Sequence, residues 1–153
     1  MKRESPTNKP HKTVTMKKAI RTEHEIKAPI DKVWALIRTG EQWEEWVPIL
    51  SGSKVENNNR YCEVAGSDDV LEERFLSSDA EKTFIYAIDK QQTFPATDIT
   101  AIIRLEAQGP ITKMYWTAEM QPFNEEAAAG LEQQVPEVYA ASAGLLETLA
   151  NKD

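Results

Sequence analysis

The stretch TDITAIIRLEAQGPITKMYWTAEMQ, residues 97–121, decides the fold class. Before Gly109-Pro110 the apolar side chains Ile99, Ala101, Ile103 and Leu105 share one face with Thr97. After it, Met114, Trp116, Ala118 and Met120 do the same. The opposite faces carry Asp98, Thr100, Ile102 and Arg104, then Lys113, Tyr115, Thr117 and Glu119. A period of two marks strands with one covered face. The Gly-Pro turn is short, so the two halves return on each other as an antiparallel hairpin.

Working outward, further strands are read over residues 52–56, 61–65, 70–76 and 83–88, beside 97–107 and 114–121. Asn57-Asn58-Asn59, Gly66-Ser67-Asp68-Asp69 and Ser77-Ser78-Asp79 supply the turns. Every interval is short, which predicts an antiparallel meander. No helices alternate with the strands, so a Rossmann-type parallel sheet is excluded. Upstream, residues 19–26 read as extended. Pro29 then opens a helix, with Ile30, Val33, Trp34 and Ile37 at helical spacing and Gly40 as its stop. A second short helix is expected over residues 41–46, ended before Pro48, with Trp43 and Trp46 on one face.

The final thirty residues return to helix. Asn124 is a candidate N-cap, followed by Glu125 and Glu126 in the first turn. Leu131, Val135, Val138, Ser142, Leu145 and Leu149 form an apolar stripe. Pro136 either kinks one long helix or starts a second after a break near Gly130. A curved antiparallel sheet wrapped around this terminal helix buries all the apolar faces at once.

The chain has 153 residues, 41% of them hydrophobic, enough for one domain with its own core. No apolar run reaches membrane-spanning length, and no apolar signal segment is present. A single cysteine, Cys62, leaves no disulfide framework. A cytoplasmic protein, monomeric or weakly dimeric, is expected. The net charge of −7 argues against nucleic acid as a partner. Residues 1–18 depart from that balance, with Lys2, Arg3, Lys9, Lys12, Lys17 and Lys18 against Glu4 alone. Residues 1–17 are read as a flexible basic leader and residues 18–153 as the folded domain; Met16 could itself be a translation start.

If the covered face of residues 70–76 includes Leu71 and Phe75, Glu73 points inward with them, which is costly unless it is paired or hydrated. Phe84, Tyr86 and Ile88 share a neighbouring face. Combined with Ile99, Ala101, Ile103, Met114, Trp116 and Ala118, this composition suits a small-molecule cavity. It suits equally a solid core, with Glu73 outside or in a buried ion pair with an arginine. Val138 and Ser142 are the matching positions of the helix stripe.

The run Ile26-Lys27-Ala28-Pro29-Ile30-Asp31-Lys32-Val33-Trp34-Ala35-Leu36-Ile37 resembles the opening of START-like polyketide cyclase/dehydrase proteins, the SRPBCC superfamily. Trp43 or Trp46 followed by Pro48, Glu73-Arg74-Phe75, Phe84-Ile85-Tyr86-Ala87-Ile88, Phe94-Pro95-Ala96-Thr97-Asp98 and Trp116-Thr117-Ala118-Glu119-Met120-Gln121-Pro122 are similar to its later elements. The resemblance spans roughly residues 18–150. It implies an α+β helix-grip fold of about seven strands around a long C-terminal helix, with two short helices after the first strand and a hydrophobic cavity. By the same token Glu73, Tyr86, Ile88, Ile99, Ala101 and Trp116 would line that cavity, with loops 66–69 and 92–96 as its mouth. Ala65-Gly66-Ser67-Asp68-Asp69 departs from the Ser-Gly-Leu-Pro-Ala gate of the plant hormone receptors.

Chemistry beyond a cavity is sparse. Two histidines, His11 and His24, form no metal-ligand cluster, and Cys62 has no spacing that brings His24 to it, so a buried structural thiol is expected. No metal and no cofactor are implied. Glu73, desolvated in an apolar site, is the one candidate proton carrier. Three functions remain open: a carrier or sensor of a small apolar or amphipathic molecule, a cyclase, aromatase or dehydratase using Glu73, and a protein-interaction or stress-response module with Trp43 and Trp46 exposed as its contact surface.

Overall fold

The computed structural model of the chain describes residues 17–152, so the leader read over residues 1–17 lies outside it except for Lys17. Seven strands form one antiparallel sheet in the order β1-β7-β6-β5-β4-β3-β2. They are β1 (Lys18–Ile26), β2 (Leu50–Glu56), β3 (Asn59–Val64), β4 (Val70–Asp79), β5 (Thr83–Lys90), β6 (Ala96–Gln108) and β7 (Ile111–Pro122). From β2 to β7 the chain runs as the meander that the short turns require. β1 adds to the free side of β7, pairing Thr22 with Trp116. Helix α1 (Ile30–Ile37) follows β1, and α2 (Glu125–Ala150) closes the chain against β1, β7 and α1.

Pro29 enters α1 at φ −64°, and its carbonyl accepts from the N–H groups of Lys32 and Val33. The second short helix shrinks to a 3-10 turn, Trp43–Glu45. Gln42 in front of it is left-handed at φ 61°, which prevents an earlier start, and Pro48 behind it offers no N–H to extend it. Asn124 caps α2, its side-chain oxygen accepting from Ala127 N–H at 2.8 Å. A single helix then continues through Pro136 to Ala150.

Two details differ from the alternation read in the sequence. Thr97 is exposed, while Ala96 and Ile99 are both buried. A bulge between Thr97 and Thr100, with Asp98 at φ 54°, changes the phase of the strand there. In α2 the buried residues are Leu131, Val135, Ser142, Ala143, Leu146 and Ala150, whereas Leu145 is 41% exposed. Alternating steps of three and four keep a 3.5-residue period, and a straight helix drifts away from it by about 20° per heptad. Leu146 has therefore replaced Leu145 on the inner face by the last turns.

β7 shows the cleanest alternation, with Thr112, Met114, Trp116, Ala118, Met120 and Pro122 all buried. The buried side chains fall into two apolar groups. The larger contains α1, both short-turn tryptophans and the C-terminal half of α2. The smaller contains Ile20, Ala96, Ile99, Ala118, Met120, Leu131 and Val135, and Ile88, Phe94 and Tyr139 pack against both. The C-terminal end of α2 is tied to the β1–α1 link, where Lys27 N–H donates to Glu147 Oε1 at 2.6 Å and Asn151 Nδ2 donates to Lys27 O at 3.0 Å.

Candidate ligand cavity

Between the two apolar groups the inner face of the sheet and the first half of α2 enclose a cavity of about 550 Å³. The turns of α2 from Leu131 to Tyr139 form one wall, β3 to β7 the other, and residues 47–50 with Thr93 and Phe94 reach over it. Apolar side chains dominate the lining, and the volume lies in the range that holds a single small molecule.

Leu71, Glu73, Tyr86, Ile88, Ile99, Ala101, Trp116, Ala118 and Val138 line this space. Phe75, Phe84, Ile103, Met114 and Ser142, the other candidate contacts, are not part of its walls. Their strand faces are as read, but position along the element excludes them. Phe84, Ile103 and Trp116 form the next row beyond the Tyr86–Ala101–Ala118 row that borders the cavity, and Leu105 with Met114 the row after it; of these five only Trp116 still reaches the wall. At that end α1 and the later turns of α2, Ser142 included, fill the interior. Phe75 instead packs beside Phe84 and beneath Gly40.

Glu73 points inward and is paired. It lies opposite Arg60 across β3 and β4, and Arg60 Nε donates to its Oε1 at 2.5 Å. Arg60 is 1% and Glu73 5% exposed. A second guanidinium nitrogen of Arg60 donates to Gly40 O at 3.0 Å. The guanidinium carbon sits 3.9 Å from the Trp43 ring centroid, with Tyr86 and Phe75 also within cation–π range. Burial pushes the Glu73 carboxyl up, and the charge and hydrogen bond of Arg60 pull against that rise. Cys62 packs behind the pair, Sγ to Glu73 Oε1 at 3.6 Å, and its thiol is pushed up to about 12, first by burial and then by the Glu73 charge. His24 lies on β1 and bonds to Thr22 Oγ1 at 2.9 Å, away from Cys62.

Trp43 and Trp46 are each 1% exposed. The contact surface expected from them is therefore absent; their rings pack into the core, tilted against each other with centroids 4.8 Å apart, and Trp116 lies 5.8 Å from Trp46. Burial is the physical reason, since two indoles on one face of a short turn shed water by facing the sheet. Trp116 and Tyr139 stack in parallel across the sheet–helix gap, with centroids 3.7 Å apart and planes within 6°. Burial raises both Tyr86 and Tyr139 above the usual phenol value, so both hydroxyls remain protonated donors at neutral pH. The Tyr86 hydroxyl interacts with Tyr139 and with the Trp116 indole. Yet Trp116 Nε1–H reaches no partner at hydrogen-bond geometry, nor does Trp46 Nε1–H. Of these two indoles only Trp116 lines the cavity. A desolvated donor without a partner costs about 1–3 kcal/mol.

The loops expected at the mouth meet through Asp69, whose Oδ2 accepts from Gln92 N–H at 2.8 Å and Thr93 Oγ1 at 2.5 Å. These bonds, Thr93 first, hold the Asp69 carboxyl below its ordinary value. Gln91 braces the same loop from within, through bonds to Phe94 and Ala96. Among lining residues the sequence reading missed Arg60, Trp43, residues 47–50 and, apart from Val138, the Leu131–Tyr139 face of α2. Arg60 was detectable, since it alternates with Cys62 and Val64 on the covered face of β3. Among the described residues no group of histidine, cysteine and carboxylate side chains is placed to hold a metal, and no helix is long and apolar enough to cross a membrane.

A seven-stranded sheet closed by a long C-terminal helix over an internal cavity defines a START-like helix-grip domain. Residues 17–151 match the family described as polyketide cyclase/dehydrase and lipid transport, and the chain belongs to that family. No curated protein matches it in sequence. Among solved structures it is similar to the protein XoxI from Bacillus cereus, with a TM-score of 0.76 at 20% identity over 85% of this chain and 93% of that one. It is also similar to the Zhui aromatase/cyclase from Streptomyces sp. R1128, with a TM-score of 0.72 at 14% identity over 88% and 94% of the two chains. Norcoclaurine synthase from Thalictrum flavum shares the fold with a TM-score of 0.70 at 14% identity, over 94% of this chain and 99% of that one. Identities this low speak for the fold alone.

Proposed function

We propose that the domain binds one small hydrophobic or amphipathic molecule in the cavity between the sheet and α2, as a carrier or sensor. The observation that carries this reading is a partly open, mainly apolar cavity of about 550 Å³ that the protein's own side chains leave unfilled. Apolar walls of this kind bind by removing apolar ligand surface from water, at about 25 cal/mol per Å² before ordering costs. Leu71, Tyr86, Ile88, Ile99, Ala101, Trp116, Ala118 and Val138 are the proposed contacts, and Glu73 holds Arg60 in place at the wall.

Nile red, an uncharged dye that brightens in apolar surroundings, tests the reading. The wild-type protein binds it with enhanced emission. Ile99→Trp, which fills the space from β6, abolishes binding while the circular dichroism spectrum is retained. Undiminished binding in a folded Ile99→Trp variant overturns the assignment.

A cyclase, aromatase or dehydratase activity is the second reading. It is favoured by one observation: Glu73 lines the cavity, and burial raises its carboxyl above the ordinary value against the pull of Arg60. The Arg60 ion pair favours a structural role instead. Glu73→Gln separates the two, because a proton carrier loses turnover and keeps Nile red affinity, whereas a structural partner of Arg60 loses stability and affinity together.

A further inference from the structure

We infer that the molecule held in the cavity is uncharged and presents an acceptor oxygen, of the ketone or phenol-ether kind, to Trp116 Nε1–H. The inference rests on the cavity-binding reading and adds the chemistry of the ligand. Its starting point is the indole N–H of Trp116, fully buried, on the cavity wall and without a hydrogen-bond partner. Buried donors in folded proteins are nearly always paired, so one left open on the wall of an empty space marks where an acceptor belongs.

The surroundings of that N–H agree in sign. Tyr86 and Tyr139 both line the cavity, interact with each other, and are kept as neutral O–H groups by burial. Beside these two hydroxyls, which can donate or accept, the Trp116 indole can only donate. An incoming ammonium, itself a donor only, leaves that N–H unmet, whereas an acceptor satisfies it.

Charge argues for neutrality. Among the described residues the lining contains three ionisable charges, Arg60, Glu73 and Glu137. Arg60 and Glu73 are spent on each other, and Arg60 is further committed to Gly40 O. Glu137 is exposed, so it adds negative charge at the rim and nothing in the depth. A carboxylate or phosphate would thus be desolvated with no free cation among the described lining residues to meet it, and a cation would be desolvated with the Glu73 carboxylate already taken by Arg60. A ketone-bearing apolar molecule meets neither penalty.

The test compares a matched set of tricyclic probes: fluorene, 9-fluorenone and fluorene-9-carboxylate, each displacing Nile red from the full chain. The expected result is 9-fluorenone about tenfold tighter than fluorene, the difference one buried hydrogen bond supplies, and the carboxylate weaker than the ketone. In Trp116→Phe the ratio of ketone to hydrocarbon affinity falls to parity. The assigned Trp116 indole N–H resonance of the wild-type protein moves downfield with 9-fluorenone and not with fluorene. That measurement stands even if the variant folds poorly. Equal affinities for fluorene and 9-fluorenone in the wild type overturn the inference, as does a ketone preference that survives in Trp116→Phe or a carboxylate that competes as well as the ketone. Failure of Nile red itself to bind overturns the cavity reading instead, which separates the two.

Discussion

Arg60 and Glu73 stand directly opposite each other on β3 and β4, joined by a 2.5 Å hydrogen bond in a place where neither side chain reaches bulk water. The guanidinium lies against the Trp43 ring, so this buried cation is held by a carboxylate on one side and an aromatic ring on another. Glu73→Gln is expected to destabilise the protein by about 3–5 kcal/mol, because the remaining cation stays buried and uncompensated. Replacing both residues, Arg60→Met with Glu73→Leu, is expected to be close to neutral. Urea unfolding of both variants checks this, and a Glu73→Gln loss as small as that of the pair replacement sinks the argument.

Gly40 and Gly66 provide a controlled comparison. Both are left-handed, at φ +75° and +73°. A Cβ on Gly40 would come within 2.4 Å of the Phe75 ring, whereas one on Gly66 meets only open space. Gly66→Ala is expected to cost about 1 kcal/mol from backbone strain alone. Gly40→Ala adds overpacking of the aromatic floor beneath Arg60, a further 1–3 kcal/mol or so. Equal losses in the two variants would show that Phe75 yields freely.

Asp69 links the two loops at the mouth, and its carboxyl is held below the ordinary value by Thr93 and Gln92. A depressed carboxylate contributes its stabilisation fully above the unfolded value and loses it as pH falls through the lower, folded one. Nile red dissociation is therefore expected to stay constant from neutrality down to the usual aspartate range. Below that range it accelerates. Asp69→Ala should be fast at every pH, so a variant with wild-type dissociation at neutral pH would remove any tethering role.

The sheet was legible because alternation is local. In β7 the face that reads apolar in the sequence is the face that is buried, residue by residue. The Asn124 cap was legible for the same reason, its bond to Ala127 spanning three residues. Where a local irregularity entered, as at Asp98, the parity failed, since a bulge leaves no mark in hydrophobicity. Leu145 failed more gradually, through the drift between a 3.5-residue stripe and the helix's own pitch.

The site divided differently. That Glu73 shares a face with Leu71 follows from spacing; that its partner is Arg60, thirteen residues away, follows only from the register of β3 on β4. Likewise Trp43 and Trp46 are visible as a pair, but their burial depends on a sheet face formed by residues far along the chain.

By itself, then, the sequence determined the antiparallel meander, the closing helix and the covered face of β7 and, beyond its bulge, of β6, since these rest on patterns within a few residues. Only the tertiary structure decided which of those inward side chains border empty space and which fill the interior. Phe84 and Tyr86 lie on one face of one strand, yet only Tyr86 reaches the cavity. The difference is set by where α1 and the later turns of α2 come to rest, and that is a property of packed volume rather than of sequence period.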